Sequence, residues 1–287
     1  MSAGDVCVAA GLAYRRLGRG EPIVLVHGLG GSHRSWDAVV PSLQSHRDVI
    51  ALDLPGFGDS PPLPAASPHT PAMLAAAVER LLDALGLDRP HVAGHSLGGW
   101  VALELAASGR ANSVTAFCPA GLWASTAPRD VRVRLRTSRV LALTCRRLAP
   151  LLLASRFGRR ALLSGSCVRA ADVPATLAIA AAADLAGATG YPPVYSGTVD
   201  GRFAASLAWN VPVHVVLADS DQLLPPADNR CSAELPPDTT WSLLPQCGHN
   251  ALWDDPAAVA RHPRQPQQSA DVSHFPPAVV RGEESGV

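Results

Sequence analysis

The stretch Gly94-His95-Ser96-Leu97-Gly98, a G-x-S-x-G pentapeptide, decides the fold of this chain. An apolar run at residues 90–93 precedes it, and a helix-like apolar run at 97–107 follows it. A tight turn between a strand and a helix forces its serine into strained backbone geometry and points the hydroxyl out of the sheet, while the glycines allow close backbone approach. We therefore interpret Ser96 as a nucleophile. A serine that only caps the start of a helix is the alternative.

A nucleophilic serine needs a base, an acid that orients the base, and N–H donors for the oxyanion. Among the histidines, only His249, His262 and His274 follow the candidate acids. His249 comes directly after a predicted strand and a glycine, whereas the other two lie in a segment rich in Pro and Gln that we expect not to be held rigidly. His249 is therefore the predicted base. The remaining histidines, including His95, are interpreted as surface or packing residues.

The acid is expected in the Asp-Ser-Asp turn at residues 219–221, which follows the apolar run 211–217. Asp221 is the preferred residue, and Asp219 is the alternative, since aspartate and serine also stabilise turns locally.

The oxyanion donors are expected to be the backbone N–H groups of Leu29 and Leu97. Leu29 lies in the glycine-rich loop 27–31 after the apolar run 22–26, and Leu97 follows Ser96. A plain strand-to-helix turn is the alternative explanation for the glycines of this loop.

These motifs resemble those of the serine α/β-hydrolases, in the order and spacing of that family. The matching stretches are HGLGGS (27–32), the loop 52–60, GHSLGG (94–99), LADSDQLLPP (217–226) and CGHNALWDDP (247–256). The resemblance covers roughly residues 5–262. It implies Ser96 as nucleophile, Asp221 as acid and His249 as base, with the amides of Leu29 and Leu97 holding the oxyanion. In the turn that carries Asp221, Ala218 replaces the family's usual glycine.

The predicted fold is α/β: a mostly parallel α/β-hydrolase sheet with helices on both faces and an inserted helical lid. Strands alternate with helices except in residues 122–205, which are helical in composition and contain no convincing strand. We predict that this segment is a lid over Ser96. The core would then comprise residues 1–121 and 206–262. Residues 263–287 show no helical or strand period and are predicted to be a disordered tail.

Composition excludes several classes of protein. The chain has 287 residues, of which 47% are hydrophobic, and its 24 basic residues balance its 24 acidic ones, so no global charge attracts nucleic acid. Six cysteines are scattered without metal-ligand spacing, so we expect free thiols. Catalysis by a serine nucleophile and its base calls for neither a metal nor a cofactor. The N-terminus lacks a signal-peptide pattern, and no apolar run reaches ~18 residues, which favours a cytoplasmic protein.

The lid is rich in arginine. Residues 129–169 contain eleven arginines and one acidic residue, Asp130. The favoured interpretation is solvated amphipathic helices whose arginines pair with the acidic remainder of the chain. Contact with a membrane or another lipid surface is the alternative.

The sequence favours an esterase or lipase that cleaves an apolar carboxylic ester through an acyl-enzyme, so its expected partner is a small-molecule ester. A serine at this turn argues against the halide-displacing and epoxide-opening relatives, which use aspartate there.

One alternative function is a C–C bond hydrolase of ring-fission diketones. The spacing of Trp253 after His249 resembles that group, but the group usually has asparagine where His95 stands. Another is a ligand receptor with slow or no turnover. Trp123 and Trp253 are the predicted substrate contacts.

Overall fold

The computed structural model describes residues 5–207 and 210–262, and in them eight strands form a single sheet. The strands are β1 (Cys7–Ala9), β2 (Leu12–Gly18), β3 (Glu21–Val26), β4 (Arg47–Leu52), β5 (His91–His95), β6 (Ser113–Phe117), β7 (Val213–Ala218) and β8 (Thr240–Leu244). They are ordered β1-β2-β4-β3-β5-β6-β7-β8. The pairs β1–β2 and β2–β4 are antiparallel, and all the other pairs are parallel. The predicted α/β fold with a mostly parallel sheet is confirmed.

Helices cover both faces of this sheet. They are α1 (Val40–Leu43), α2 (Pro71–Ala84), α3 (Leu97–Ala107), α4 (Arg129–Thr144), α5 (Ala149–Ala154), α6 (Arg156–Leu163), α7 (Ala175–Gly187), α8 (Tyr191–Val199), α9 (Ala251–Asp254) and α10 (Pro256–Arg261). Where the sequence predicts one helix over 36–43, the structure has a 3-10 helix, His33–Trp36, and then α1. Pro41 has no backbone N–H to donate, which suits the first turn of a new helix better than the middle of a long one.

Alternating side chains of the central strands divide the core into two apolar layers. In β3, Val24 and Val26 face the layer that contains α2 and α3, whereas Ile23 and Leu25 face the layer that contains α1 and α10. All four side chains are fully buried. This alternation is the period-two pattern of a strand that is covered on both faces.

The segment between β6 and β7 forms the helical lid. It carries helices α4 to α8 and, in the part that the structure describes, no strand. Helix α7 packs against α4, α5 and the 3-10 helix. Its Asp184 accepts hydrogen bonds from Ser32 Oγ and from Arg34 Nη1, at 2.5 and 3.1 Å. The lid is thereby fastened to the loop that follows β3.

The lid arginines do not pair with the core as expected. The ion pairs recorded for residues 129–169 join Arg132 to Asp200, Arg134 to Asp130 and Arg156 to Asp172, and all three stay within the lid. Other arginines of this segment lie over tyrosine rings or donate to main-chain carbonyls. In the described residues, no arginine of 129–169 forms an ion pair with a core carboxylate, so the favoured expectation of such pairing is wrong.

The C-terminal part departs from expectation at one residue. His262 follows α10 and packs edge-on against His214 and Phe117, with ring centroids 5.0 and 6.1 Å away, so it is held in place. The tail predicted over residues 263–287 lies outside the described residues. None of the described helices is both long enough and apolar enough to cross a membrane.

Candidate active site

Ser96 occupies a strained turn between β5 and α3. Its backbone has φ 55° and ψ −117°, a conformation that costs a non-glycine residue about 1–3 kcal/mol. Glycine is required on both sides of it: a Cβ at position 94 would lie 2.0 Å from the carbonyl oxygen of Gly98, and one at position 98 would lie 2.2 Å from that of Val26. The sequence thus dictates how closely this turn packs on β3, and the turn holds the hydroxyl of Ser96 at the end of the sheet.

The loops after β7 and β8 bring two further side chains to Ser96. The two strands are parallel neighbours, so the loops that follow them emerge at the same edge of the sheet. His249 Nε2 lies 3.0 Å from Ser96 Oγ, and His249 Nδ1 lies 2.7 Å from Asp221 Oδ2. Because a carboxylate can only accept, Nδ1 carries the proton and Nε2 is free to accept from the serine hydroxyl. Serine, histidine and aspartate therefore form one hydrogen-bonded chain.

Asp221 is buried and held as an anion. Burial alone would raise its pKa, but the positive charge that His249 carries when protonated and the hydrogen bonds from His249, Leu224 and Leu223 outweigh burial and keep the pKa below its usual range. The backbone N–H groups of Leu223 and Leu224 each donate to Oδ1 at 2.8 Å. One oxygen is thus fixed by the backbone, and the other faces the imidazole.

Asp219, the alternative acid, has a different place. Its exposed carboxylate accepts from the backbone N–H groups of Gln246 and Cys247, at 2.9 and 3.3 Å. It therefore braces the loop that leads to His249 without touching the imidazole. The Asp-Ser-Asp sequence divides two tasks between its two carboxylates.

His95 has a role that sequence reasoning missed. Its Nε2–H donates to the main-chain oxygen of His249 at 2.8 Å, and the two rings lie 5.0 Å apart. Burial, reinforced by the neighbouring charge of His249, lowers the pKa of His95 to about 3, so the ring is neutral. His95 thus helps to position His249. Its only signal in the sequence is that it directly precedes Ser96.

The loop after β3 runs beside the serine. A Cβ on Gly28 would lie 3.2 Å from Ser96 Cβ, and Leu29 lines the cavity at this point. His27 shapes the loop, since its Nδ1–H donates to Gly28 O at 2.8 Å and its Nε2 accepts from Leu54 N at 2.9 Å. Leu97 is the first residue of α3. Within the described residues, no hydrogen bond from the backbone N–H of Leu29 or Leu97 is recorded, so both donors are available to a ligand.

A cavity of about 280 Å³ opens from Ser96 into the lid. Its wall is mostly aliphatic and includes Leu135, Leu141, Leu153, Leu162, Leu163, Ala178, Ala182, Leu185 and Leu223. Among the described residues, no arginine, lysine, aspartate or glutamate lines it. The site therefore suits an uncharged, apolar ligand.

The two tryptophans predicted to contact substrate lie in different places. Trp253 lines the cavity, and its indole N–H donates to Ser35 O at 3.1 Å. Trp123 is buried outside the cavity, edge-on to Trp100, and its indole N–H donates to Gly201 O at 2.7 Å. The expectation for Trp123 is wrong because its ring fills the core beneath the lid.

In residues 5–207 and 210–262, two groups of side chains are close enough to share a metal ion. They are Cys118 with Asp221 and His249, and His33 with Asp53 and Asp59. Burial raises the pKa of the Cys118 thiol well above its usual range, which disfavours the thiolate that a metal needs. Asp53 already accepts from the backbone and ring of His33 and from the backbone of Asp59. Both groups are thus engaged in internal contacts.

Comparison with known proteins gives the family to which this fold belongs. A family model described as the alpha/beta hydrolase fold matches residues 21–256. This chain belongs to the alpha/beta hydrolase fold family. Epoxide hydrolase EphH of Mycobacterium tuberculosis is 34% identical over 205 residues, which is 66% of this chain and 90% of that protein. The match supports an enzyme of the hydrolase class.

Other relatives of this alpha/beta hydrolase match over shorter stretches or in fold alone. The dihydrolipoyllysine-residue acetyltransferase component of the acetoin cleaving system of Cupriavidus necator is 41% identical over 111 residues, 38% of this chain; the chain spans only 29% of that protein. An esterase from Thermogutta terrifontis superposes with a TM-score of 0.64 at 22% identity, covering 88% of this chain and 91% of the esterase. A meta-cleavage product hydrolase from Pseudomonas fluorescens gives 0.64 at 20%, with 91% and 95% covered.

Proposed function

We propose that this alpha/beta hydrolase is a serine hydrolase that cleaves an apolar carboxylic ester through an acyl-enzyme. The observation that carries the proposal is the position of His249, 3.0 Å from Ser96 Oγ and 2.7 Å from Asp221 Oδ2, at the end of an aliphatic cavity. A hydroxyl, a neutral imidazole and a buried carboxylate in this order are the elements of a nucleophile, its base and the group that orients the base.

In the proposed reaction, Ser96 Oγ attacks the ester carbonyl while His249 Nε2 takes its proton. Asp221 holds the proton of Nδ1 in place and stabilises the imidazolium that forms. The backbone N–H groups of Leu29 and Leu97 donate to the oxyanion, a contribution of about 3 kcal/mol per donor. His249 then protonates the departing alcohol, and water releases the acid from the acyl-enzyme through the same base.

The lining of the cavity supports an ester with an uncharged, aliphatic acyl group. Leu135, Leu153 and Leu185 offer apolar contacts, and no arginine or lysine among the described residues lines the wall to pair with a substrate carboxylate. An ester that fills this cavity buries apolar surface at roughly 25 cal/mol per Å². Trp253 adds an aromatic surface at the wall. An acidic substrate would enter such a cavity at a desolvation cost that nothing there offsets.

A serine in the turn also separates this chain from an epoxide hydrolase that forms an ester on its own carboxylate. Ser96 has no carboxylate to offer an epoxide carbon, and its place in the turn is fixed by the backbone. Relationship to EphH therefore supports the fold and the hydrolase class, and the proposed ester chemistry rests on Ser96, His249 and Asp221.

The experiment is a series of p-nitrophenyl esters from acetate to dodecanoate, assayed with the wild type and with Ser96→Ala. We expect steady turnover by the wild type, a preference for acyl chains that fill the cavity, and loss of turnover in the variant. A single burst of p-nitrophenol followed by no turnover would indicate a receptor that only acylates. Equal activity of wild type and variant would overturn the proposal.

A further inference from the structure

One exposed part of the lid is unusually apolar. Nine of the twelve large hydrophobic side chains that are exposed in the described residues lie within 129–169. Phe157 is 82% exposed, and Leu151 is 75% exposed. Concentration of exposed apolar side chains in one segment marks an interaction site more often than scattered exposure does. The lid surface, as we define it, consists of Val140, Leu143, Leu148, Leu151, Leu152 and Phe157 together with Arg146, Arg147 and Arg160.

The outward apolar side chains are not needed by the protein's own core. In α5, Ala149 and Leu153 point inward and are buried, while Leu151 and Leu152 remain exposed. Leu148, which precedes the helix, is 57% exposed. A helix of a water-soluble surface normally carries polar residues on its outer face. This helix is apolar on both faces, so its outer face is fit for a second apolar environment.

Basic side chains accompany these residues. Arg146, Arg147 and Arg160 are exposed, and no carboxylate within the described residues forms an ion pair with them. Neighbouring Arg156 does pair, with Asp172, which shows that the lid can neutralise an arginine where a carboxylate is near. Unpaired arginines mixed with leucine and phenylalanine are complementary to a membrane surface, where anionic headgroups lie above the apolar acyl chains.

The lid surface also borders the candidate active site. Leu141 lines the cavity and is itself 41% exposed, and in the chain it lies between Val140 and Leu143 of this surface. Ala149 and Leu153 line the cavity from the same helix that exposes Leu151. An apolar molecule in a lipid layer under the lid surface would therefore be separated from the cavity by this one helix.

We propose that the lid surface docks this protein onto an anionic lipid bilayer. The three arginines contact the phosphates of the headgroups, while Leu151 and Phe157 enter the boundary of the acyl chains. A symmetric dimer through this same surface is a poorer fit, because it would bring the arginines of one copy towards those of the other.

The test is flotation of the full-length protein with vesicles, either of phosphatidylcholine alone or of phosphatidylcholine with phosphatidylglycerol. We expect binding to the anionic vesicles that weakens with added salt, and much weaker binding to the neutral ones. Arg146→Gln/Arg147→Gln/Arg160→Gln should weaken binding about a hundredfold, since each arginine near an anionic surface strengthens binding about fivefold. Leu151→Ser/Phe157→Ser should weaken it at least about tenfold.

A matched control variant carries the same kinds of change on the core. Arg19, Arg80 and Arg89 are exposed arginines outside the lid, and Val8 is a 68% exposed apolar residue on β1. Arg19→Gln/Arg80→Gln/Arg89→Gln/Val8→Ser should bind vesicles within about threefold of the wild type. Equal losses in the control and in the lid variants would overturn the proposal, because they would indicate that surface arginines attract anionic vesicles wherever they lie on the protein.

Two other results would also overturn it. One is that the wild type does not bind anionic vesicles. The other is a dimer in sedimentation analysis that Leu151→Ser/Phe157→Ser dissociates, which would assign the lid surface to a second copy.

Thermal melts check that the variants fold. If a multiple variant does not fold, the single variants Arg147→Gln and Phe157→Ser replace it. Ser96→Ala should bind vesicles like the wild type, so failure here is distinguishable from failure of the proposed ester hydrolysis.

Discussion

Replacing Asp221 by asparagine should keep the fold and remove most of the turnover, for a reason found in its hydrogen bonds. Oδ1 accepts from two backbone N–H groups, those of Leu223 and Leu224, each at 2.8 Å. The asparagine oxygen must stay at that position, so the side-chain NH₂ replaces Oδ2 in front of His249. His249 Nδ1 must then accept, which leaves its proton on Nε2. In that tautomer, Nε2 cannot take the proton of Ser96.

The expected loss is large and specific. The corresponding substitution in the serine proteases lowers kcat about 10⁴-fold, which equals about 5.5 kcal/mol of transition-state stabilisation, and the same exchange of tautomer applies here. Asp219→Asn is the matched control, because it removes the same charge two residues away. Its carboxylate braces Gln246 and Cys247 and does not contact the imidazole, so kcat should fall by no more than about threefold.

The assay is kcat with p-nitrophenyl butyrate, at neutral pH and with enzyme concentrations matched by thermal melts and active-site titration. The reasoning is refuted if Asp219→Asn proves the more damaging change. It is equally refuted if Asp221→Asn keeps a tenth or more of the wild-type kcat while remaining folded.

Three further outcomes are expected. His95→Ala removes the hydrogen bond to the main-chain oxygen of His249, so kcat should fall about tenfold. His95→Gln should restore part of that activity. An unchanged kcat and pH profile in His95→Ala would exclude a positioning role for this residue. Burial lowers the pKa of His95 to about 3 and that of His214 to about 4. Below about pH 6.5, these two histidines therefore bind protons in the unfolded chain but not in the folded protein. The free energy of unfolding should thus fall on acidification by up to about 1.4 kcal/mol per pH unit for each histidine. Urea melts between about pH 7 and 5 measure this slope, and His214→Gln should flatten it; a slope of opposite sign would contradict the burial of neutral rings. Ala182→Phe places a ring in the cavity and should lower kcat/KM for octanoate esters relative to acetate esters. Ala183→Phe, on the exposed side of the same helix, should leave this ratio unchanged. The same octanoate-to-acetate ratio in both variants would exclude this wall as the binding site of the acyl chain.

Much of the fold is predictable because local signals and packing agree. The stretch 240–244 predicts a strand with the bounds of β8, and the helical spacing of apolar residues over 71–85 predicts a helix that α2 matches except for its last residue. In both elements, apolar periodicity coincides with a clear boundary: Thr70 caps the start of α2, and Gly86 follows its end with φ +67°. Residues 36–43 lack such agreement, so one predicted helix is a 3-10 helix and a separate short α-helix.

The choice among the histidines shows what sequence reasoning can and cannot do. Adjacency to strand ends predicted that His249 lies near Ser96 and Asp221, and the structure brings the three together. The argument that His262 is not held was wrong, because its ring packs against His214, which is distant in sequence. His95 was assigned to packing because nothing local in the chain indicates that its ring reaches the main chain of His249.

The positions of the two tryptophans relative to the cavity depend on contacts of different range along the chain. Trp123 begins the lid, and its position in the sequence places it near the cavity, yet the side of the chain on which its ring lies depends on Trp100 and Gly201. Trp253 lies in the short helix α9, only a few residues after His249 in the chain, and it lines the cavity. Contacts that span long separations are not encoded in any short window of sequence.

The most direct test of the proposed chemistry is covalent labelling with a fluorophosphonate, followed by intact mass and peptide mapping. The strained turn exposes Ser96 Oγ beside the base, His249 Nε2, at 3.0 Å. We therefore predict one phosphonyl group per molecule, on Ser96, and no labelling of Ser96→Ala under the same conditions. A phosphonyl group mapped to another residue, or wild-type protein left unlabelled while correctly folded, would contradict the assignment of Ser96 as the nucleophile.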